Sequence, residues 1–239
     1  MGAKMDRDLL ENGQITATEA NCLLAICNHP SPMFLTGYTT LESQKMFPAS
    51  APFPLPIFLL SLYLPVFPIF FLARHYYQKN AENTNNICIS TNNSNAVSNL
   101  TVMPKTFSLD DHLMSCLETM EKIGLYIMLF SMISSMFRLL PLPETTKLML
   151  TGLTEITNGI KAASQSPLTP ACRYLLAMTF TAFGGCSGLA QTSSMIKGTG
   201  LSIKKYGIFK LLMTLITAVL AWSVVTLVYP SAFLPVCLP

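Results

Sequence analysis

The chain has 239 residues, of which 51% are hydrophobic and only 11% are charged. Soluble domains carry about 25% charged residues, so the composition argues against a soluble globular domain and favours a protein that lies in a lipid bilayer. The net charge of +3 is small, and the basic residues form no cluster interleaved with aromatic residues, which argues against a nucleic-acid interface.

Residues 1–47 form an N-terminal segment that we expect to be helical in two parts. The pair Asn12-Gly13 is a turn signal and separates the two helices. Thr16 and Glu19 have the spacing of a capping box, which predicts that the second helix begins directly after Thr16.

Residues 48–78 form a proline-rich segment that contains the first predicted transmembrane span. Residues 52–73 are an uncharged run of 22, long enough to cross a bilayer. Pro65 and Pro68 lie in the middle of this run, where each removes a backbone donor, so we expect a kink there.

Residues 79–107 are rich in asparagine and serine and predict a polar loop. The remaining residues, 108–239, form the predicted membrane domain. Ser108 and Asp111 make a second capping-box pattern, which opens a long helix whose second half, 123–137, is apolar enough to enter the membrane.

Two later segments are apolar but too short or too interrupted to be ordinary spans. The run 148–163 has about 16 residues, fewer than a 30 Å hydrocarbon core requires, so we expect one re-entrant or half-crossing helix. Residues 171–183 and 189–196 predict two half-helices separated by a glycine pair, and 208–228 is the last span. We therefore expect an all-α, multi-pass protein with three or four full spans and interrupted helices.

The candidate chemistry lies in the segments 151–159 and 183–191, which combine glycines with polar side chains in apolar surroundings. An interrupted helix presents unpaired N–H groups at one half and unpaired C=O groups at the other. Such ends can bind a small polar solute or a coupling cation. The predicted substrate-binding residues are Glu155, Thr157, Asn158, Gly184, Gly185, Ser187 and Gln191.

Each half of this prediction has a structural alternative. Glu155 could occupy an interfacial loop and pair with Lys161 or Lys147, although an acid at membrane depth usually binds protons or ions. The pair Gly184-Gly185 could serve close helix packing alone. Two interrupted elements in one chain favour the transporter design over either alternative.

No pattern of an enzyme, a metal centre or a cofactor site is present. The chain lacks a Ser/His/Asp grouping, a Gly-x-Ser-x-Gly motif and a phosphate-binding glycine loop. The seven cysteines contain no Cys-x-x-Cys pair, so we expect them to be free thiols in apolar surroundings. We therefore expect a protein that is not an enzyme and carries neither metal nor cofactor.

Several motifs resemble the sporulation integral membrane protein family, within the nucleoside-recognition or Gate-domain superfamily. They are the stretches 152–161, 183–187 with Gln191, and Gly2-Ala3-Lys4 continuing to Glu19-Ala20, with a looser match at 27–34. The resemblance covers most of the chain except 79–107. It implies a multi-pass protein of the bacterial cell membrane with two similar halves, related to the gating region of nucleoside transporters.

The expected partners are the lipid bilayer, a small polar solute or cation, and further copies of the chain in a homo-oligomer. In the family the Gly-Ala-Lys motif lies deep in the chain, whereas here it follows Met1, so we expect 1–47 to continue a first half-repeat that is missing. Cys186 and Gly188 also replace bulkier aliphatic residues. The alternatives to a transporter are a membrane scaffold needed for spore formation and a truncated, non-functional fragment.

Overall fold

A computed structural model describes residues 2–39, 55–88 and 109–228, and these residues form helices and no strands. The first two stretches contain α1 to α5 and a short π-helix, Leu35–Thr39: α1 Gly2–Glu11, α2 Ala17–Ile26, α3 Pro32–Phe34, α4 Leu55–Tyr63 and α5 Val66–Cys88. The third contains α6 Leu109–Phe137, α7 Glu144–Thr154, α8 Ile156–Gln165, α9 Pro170–Phe183, α10 Gly185–Met195 and α11 Ile203–Val228. The all-α fold class is confirmed for the described residues.

Three helical stretches in the described part of the chain are long and apolar enough to cross a membrane. They are Phe58–Lys79, which joins α4 to α5, Leu113–Phe137 in α6, and Ile203–Leu227 in α11. Most large apolar side chains of α6 point away from the rest of the fold, as Met128 and Met132 do. Lipid would cover such a surface without cost, because its acyl chains are as apolar as these side chains.

The predicted interruption at Pro65 is confirmed, because α4 ends at Tyr63 and α5 begins at Val66. Pro68 lies in the first turn of α5, where the missing N–H group has no helical partner to lose. Only Pro65 therefore breaks the helix.

The polar segment 79–107 differs from its prediction where the structure describes it. Helix α5 continues to Cys88, ten residues into the expected loop. Residues 89–107 lie outside the described residues, as does Ser108, with which the second predicted capping box begins.

The N-terminal segment forms the two helices that the sequence predicts. The Thr16 side chain accepts a hydrogen bond from the Glu19 backbone N–H, and the Glu19 carboxylate accepts one from the Thr16 N–H at 2.8 Å. This capping box starts α2 at the predicted residue. After α2, Asn28 adopts a left-handed conformation with φ of 57°, which turns the chain away from the helix axis.

The sequence predicts one helix over the run 148–163, and this prediction is wrong. The run contains parts of two helices, α7 and α8, which are separated at Glu155. Leu148 of α7 and Ala163 of α8 lie in one apolar cluster, which makes α7 and α8 an antiparallel hairpin. At Gly159 a Cβ atom would lie 2.4 Å from the Gly152 Cα, so the two helices approach at backbone contact. The small size of both residues is what permits this hairpin.

Helices α9 and α10 run antiparallel to α11 along much of its length. Tyr174 of α9 shares an apolar cluster with Ala221 and Val225 near the far end of α11. Ile196, at the end of α10, packs in another cluster with Tyr206 near the start of α11. The α9–α10 pair is therefore one element with an interruption, as the sequence predicts.

One cysteine contradicts the expectation of free thiols. Cys172, near the start of α9, is disulfide-bonded. The cysteines that are free within the described residues are Cys22, Cys27, Cys116 and Cys186.

Candidate functional site

The two predicted polar segments meet where their helices are interrupted. Gly184 and Gly185 have φ angles of 85° and 68°, a left-handed conformation that glycine adopts without steric cost. A Cβ atom on Gly185 would lie 3.1 Å from the Thr154 carbonyl oxygen and 3.4 Å from the Glu155 Cα. The break between α9 and α10 therefore lies directly against the break between α7 and α8.

Glu155 is the N-cap of α8 and is only 3% exposed. Its carboxylate accepts a hydrogen bond from the Asn158 backbone N–H at 2.9 Å and another from the Thr157 hydroxyl. A helix N-terminus has unpaired N–H groups and the positive end of the dipole, so both contacts stabilise a negative charge. The Asn158 amide donates to the Ser131 hydroxyl of α6 at 3.1 Å, which joins the hairpin to a membrane-length helix.

The alternative pairing of Glu155 with a lysine is wrong. The Lys147 Nζ atom lies 2.9 Å from the Glu144 Oε1 atom, so this lysine pairs with Glu144, and Lys161 is exposed. The ion pairs found within the described ranges do not include Glu155. The carboxylate is therefore held by a helix end and a hydroxyl, and no cation of the described residues pairs with it.

The second half of the site belongs to α10. Ser187 is 3% exposed and accepts a hydrogen bond from the Gln191 amide at 2.9 Å. No side chain caps the N-terminus of α10, which starts at the left-handed glycine pair. The backbones of the two breaks are therefore in contact. The hydrogen bond between Ser187 and Gln191, however, lies within α10 and does not reach α7 or α8.

Lys210 is a site residue that the sequence analysis missed. It lies in α11, is 2% exposed, and donates to the carbonyl oxygens of Asn28 at 3.3 Å and Ala182 at 3.5 Å. The Ala182 carbonyl belongs to the last turn of α9, where C=O groups lack partners and the dipole is negative, and the Asn28 carbonyl lies in the turn that follows α2. The ammonium group thus joins the end of α9 to the turn that follows α2. Its flanking residues, Phe209 and Leu211, were the available signal, because a lone lysine inside an apolar run requires a partner.

The N-terminal segment also closes the site. The Asn28 amide donates to the Thr192 hydroxyl of α10 at 2.6 Å, and the Tyr38 hydroxyl donates to the Thr157 carbonyl oxygen at 2.8 Å. No local pattern marks these two residues, since each contact joins segments more than 100 residues apart. They depend on how the helices pack.

His29 follows the left-handed Asn28, beyond the end of α2, and is held by the backbone of α4. Its Nε2 lies 3.0 Å from the Leu62 carbonyl oxygen, so this nitrogen carries the proton and donates. Burial lowers the pKa of His29 to about 4, and the positive charge of Lys210 acts in the same direction. The imidazole is therefore neutral at physiological pH.

A cleft of about 360 Å³ opens at the other end of the α7–α8 hairpin, between Arg138, Lys147, Gln165 and Leu168. None of the predicted site residues lines it. Across the described ranges no three histidine, cysteine or acidic side chains cluster as metal ligands. The polar groups at the two breaks therefore remain the candidate site.

No protein-family model matches this chain, and no curated protein or solved structure matches it either. The resemblance to the sporulation integral membrane protein family therefore rests on the sequence motifs.

Proposed function

We propose that this chain is a multi-pass membrane transporter or permease of a small polar solute, of the sporulation integral membrane (Gate-domain) type, in a bacterial cell membrane. The observation that carries the proposal is the contact between two helix breaks, at Gly185 and Glu155. A protein that only anchors itself in lipid has no need of unpaired backbone groups at such a junction, because each costs free energy in an apolar medium. A solute site uses them as ligands.

The dimensions of the helices support a membrane arrangement of this kind. Helices α7 and α8 have 11 and 10 residues. At about 1.5 Å per residue each reaches roughly halfway through a 30 Å hydrocarbon core. We therefore propose that the hairpin is re-entrant and places Glu155 at mid-membrane depth, facing the α9–α10 break.

In this mechanism the two halves of the site bind different parts of the solute. The Glu155 carboxylate, with Thr157 and Asn158, accepts from the donor groups of the solute. The uncapped N-terminus of α10, with Ser187 and Gln191, donates to its acceptor groups. Movement of one interrupted helix against the other then opens the site to either side of the membrane.

The test is uptake into proteoliposomes of radiolabelled uridine, adenosine and alanine, comparing wild type with Glu155→Gln. Hydrogen bonds to a charged group are worth about 1.5–3 kcal/mol, so loss of this charge reduces flux by about tenfold or more. Glu144→Gln is the matched control, because Glu144 is an exposed acid at the start of α7 and its variant should retain wild-type flux.

Wild-type liposomes that accumulate none of the three probes above empty liposomes contradict the transporter proposal and favour the scaffold. Equal flux in wild type and Glu155→Gln contradicts the assigned site.

A further inference from the structure

The cleft at the outer end of the α7–α8 hairpin is a cavity that the proposed solute site does not use. It lies between the start of α7, at Glu144, and the end of α8, at Gln165. Arg138 lines it from the turn that follows α6, and Leu168 lines it from the turn that leads into α9. Its volume of about 360 Å³ is within the range of roughly 300–1,000 Å³ that small-molecule pockets have.

The position of Arg138 places this cleft at a bilayer surface. The membrane-length stretch of α6 has 25 residues and ends at Phe137, so Arg138 is the next residue. At about 1.5 Å per residue this stretch is longer than a hydrocarbon core of about 30 Å, and its end therefore reaches the headgroup region. Exposed apolar side chains, such as Met136 of α6 and Met149 of α7, lie within two turns of this end. The cleft thus lies where headgroups and acyl chains meet.

The cleft carries a net positive charge. Two cations, Arg138 and Lys147, line it against one acid, Glu144. The Glu144 side chain is 84% exposed and the Lys147 side chain is 18% exposed, so their 2.9 Å ion pair presents the carboxylate to water and the ammonium group to the protein. Among the described residues no carboxylate pairs with the Arg138 guanidinium group. An unpaired guanidinium group therefore lines a cavity at headgroup depth.

The rest of the lining fits an amphiphile better than a free anion. Leu148 and Leu168 contribute apolar wall, while the Thr145 hydroxyl and the Gln165 amide are neutral donors. A guanidinium group binds phosphate through two parallel hydrogen bonds, and basic pockets between membrane helices bind the headgroups of anionic lipids. A soluble anion would occupy the cationic part and leave the apolar wall in contact with water.

We propose that this cleft binds the headgroup of an anionic phospholipid. The phosphate lies on Arg138 and Lys147, and the acyl chains follow the exposed apolar side chains of α6 and α7. The lipid then occupies the end of the α7–α8 hairpin opposite Glu155, and so fixes the hairpin to the membrane surface. This inference goes beyond solute transport, since it depends on the membrane position of α6 and not on flux.

The first experiment measures binding of dioctanoyl phosphatidylglycerol to the full chain in detergent by isothermal titration calorimetry. Arg138→Gln should weaken binding about tenfold or more, because each hydrogen bond between charged groups contributes about that factor. Arg74→Gln is the matched control, since Arg74 is an exposed arginine of α5 that does not line the cleft, and this variant should bind as wild type does.

A second pair of variants tests the cavity without changing its charge. Thr145 is exposed and lines the cleft, whereas its exposed neighbour Thr146 does not. Thr145→Trp should fill the cleft and weaken lipid binding about tenfold, while Thr146→Trp should retain the wild-type affinity. Because both positions are exposed, neither variant is expected to unfold the protein.

Two further ligands separate the lipid from other sources of phosphate. Dioctanoyl phosphatidylcholine has the same chains without net charge, and glycerol 1-phosphate has the phosphate without chains. Each should bind about tenfold more weakly than phosphatidylglycerol or less. Glycerol 1-phosphate that binds as tightly as the lipid, with the same loss in Arg138→Gln, would overturn the lipid assignment in favour of a soluble phosphate.

Equal affinities of wild type, Arg138→Gln and Arg74→Gln for phosphatidylglycerol overturn the site, as does an equal loss in both arginine variants, which indicates general attraction to a charged surface. Equal binding by Thr145→Trp and Thr146→Trp overturns the cleft as its location. None of these measurements requires flux, so a failure of the uptake assay leaves them unaffected.

Discussion

Two buried charged groups of this protein, Glu155 and Lys210, lie at helix ends whose dipoles oppose their charge. The Glu155 carboxylate occupies the N-terminal end of α8, and the Lys210 ammonium group donates to the Ala182 carbonyl oxygen in the last turn of α9 and to the Asn28 carbonyl oxygen beyond α2. Each helix end lowers the cost of burying a charge, because its unpaired backbone groups replace part of the water that the charge has lost. In the part of the chain that the structure describes, neither residue forms a salt bridge. The interruptions in the helices are therefore also what permits charged residues inside an apolar protein.

His29 gives a pH-dependent prediction at the residue scale. Its pKa is about 4 in the folded state against 6.5 ordinarily, so below pH 6.5 the unfolded chain takes up the proton first. The contribution of His29 to the free energy of unfolding is therefore fully present above pH 6.5. It is lost as the pH drops towards 4, and the loss is at most about 3 kcal/mol. Thermal unfolding in detergent across this range should show a smaller loss for His29→Gln, whose amide can still donate to the Leu62 carbonyl.

The control is His75→Gln, which removes an exposed histidine of α5 and should leave the pH dependence as in wild type. An unchanged acid response in His29→Gln would assign the loss of stability to other groups.

At the scale of elements, the α7–α8 hairpin depends on two glycines in direct contact. In Gly159→Ala the new Cβ would lie 2.4 Å from the Gly152 Cα, a backbone atom that cannot rotate away. Overpacking of this kind costs about 1–3 kcal/mol, so we expect a clear drop in the melting temperature in detergent. Gly207→Ala, in α11 with nothing within 4 Å of its Cβ position, should cause no loss. Equal melting temperatures for the two variants would mean that the helices can separate without cost.

Local chemistry was sufficient to predict some helix boundaries and not others. Thr16 with Glu19 marked one helix start, and the pair Gly184-Gly185 marked a break, because caps and glycines act through adjacent backbone groups. The break at Glu155 was missed because the apolar pattern runs through it, and only the packing of α7 on α8 requires the reversal there. The contacts of Lys210, Asn28 and Tyr38 with the site were missed for the same reason, since they join distant parts of the chain.

At the scale of the whole molecule, large apolar side chains are exposed on the helices that are long enough to cross a membrane, where lipid would cover them. The three membrane-length stretches keep large apolar side chains exposed, in α6 along almost its whole length, while Glu155 and Ser187 are buried at the helix breaks. Water would oppose such a surface, because about 25 cal/mol is lost for each Å² of apolar area left exposed to it. The composition of the sequence predicted this arrangement, and the order of the helices could not be read from composition.

Trp222 tests the membrane position directly, because it is the only tryptophan in the chain. It is 51% exposed and lies in the stretch Ile203–Leu227, five residues or roughly 8 Å from its end. In liposomes its fluorescence should be quenched by phospholipids brominated on the acyl chain near the headgroup, more than by bromine near the bilayer centre, and little by iodide in the water. Leu215→Trp made in a Trp222→Phe background is the matched probe, since Leu215 is similarly exposed at the middle of the same stretch. Its fluorescence should be quenched most by the deepest bromine. Strong iodide quenching of both tryptophans, with no effect of bromine, would place α11 outside the bilayer and contradict the membrane arrangement on which the site depends.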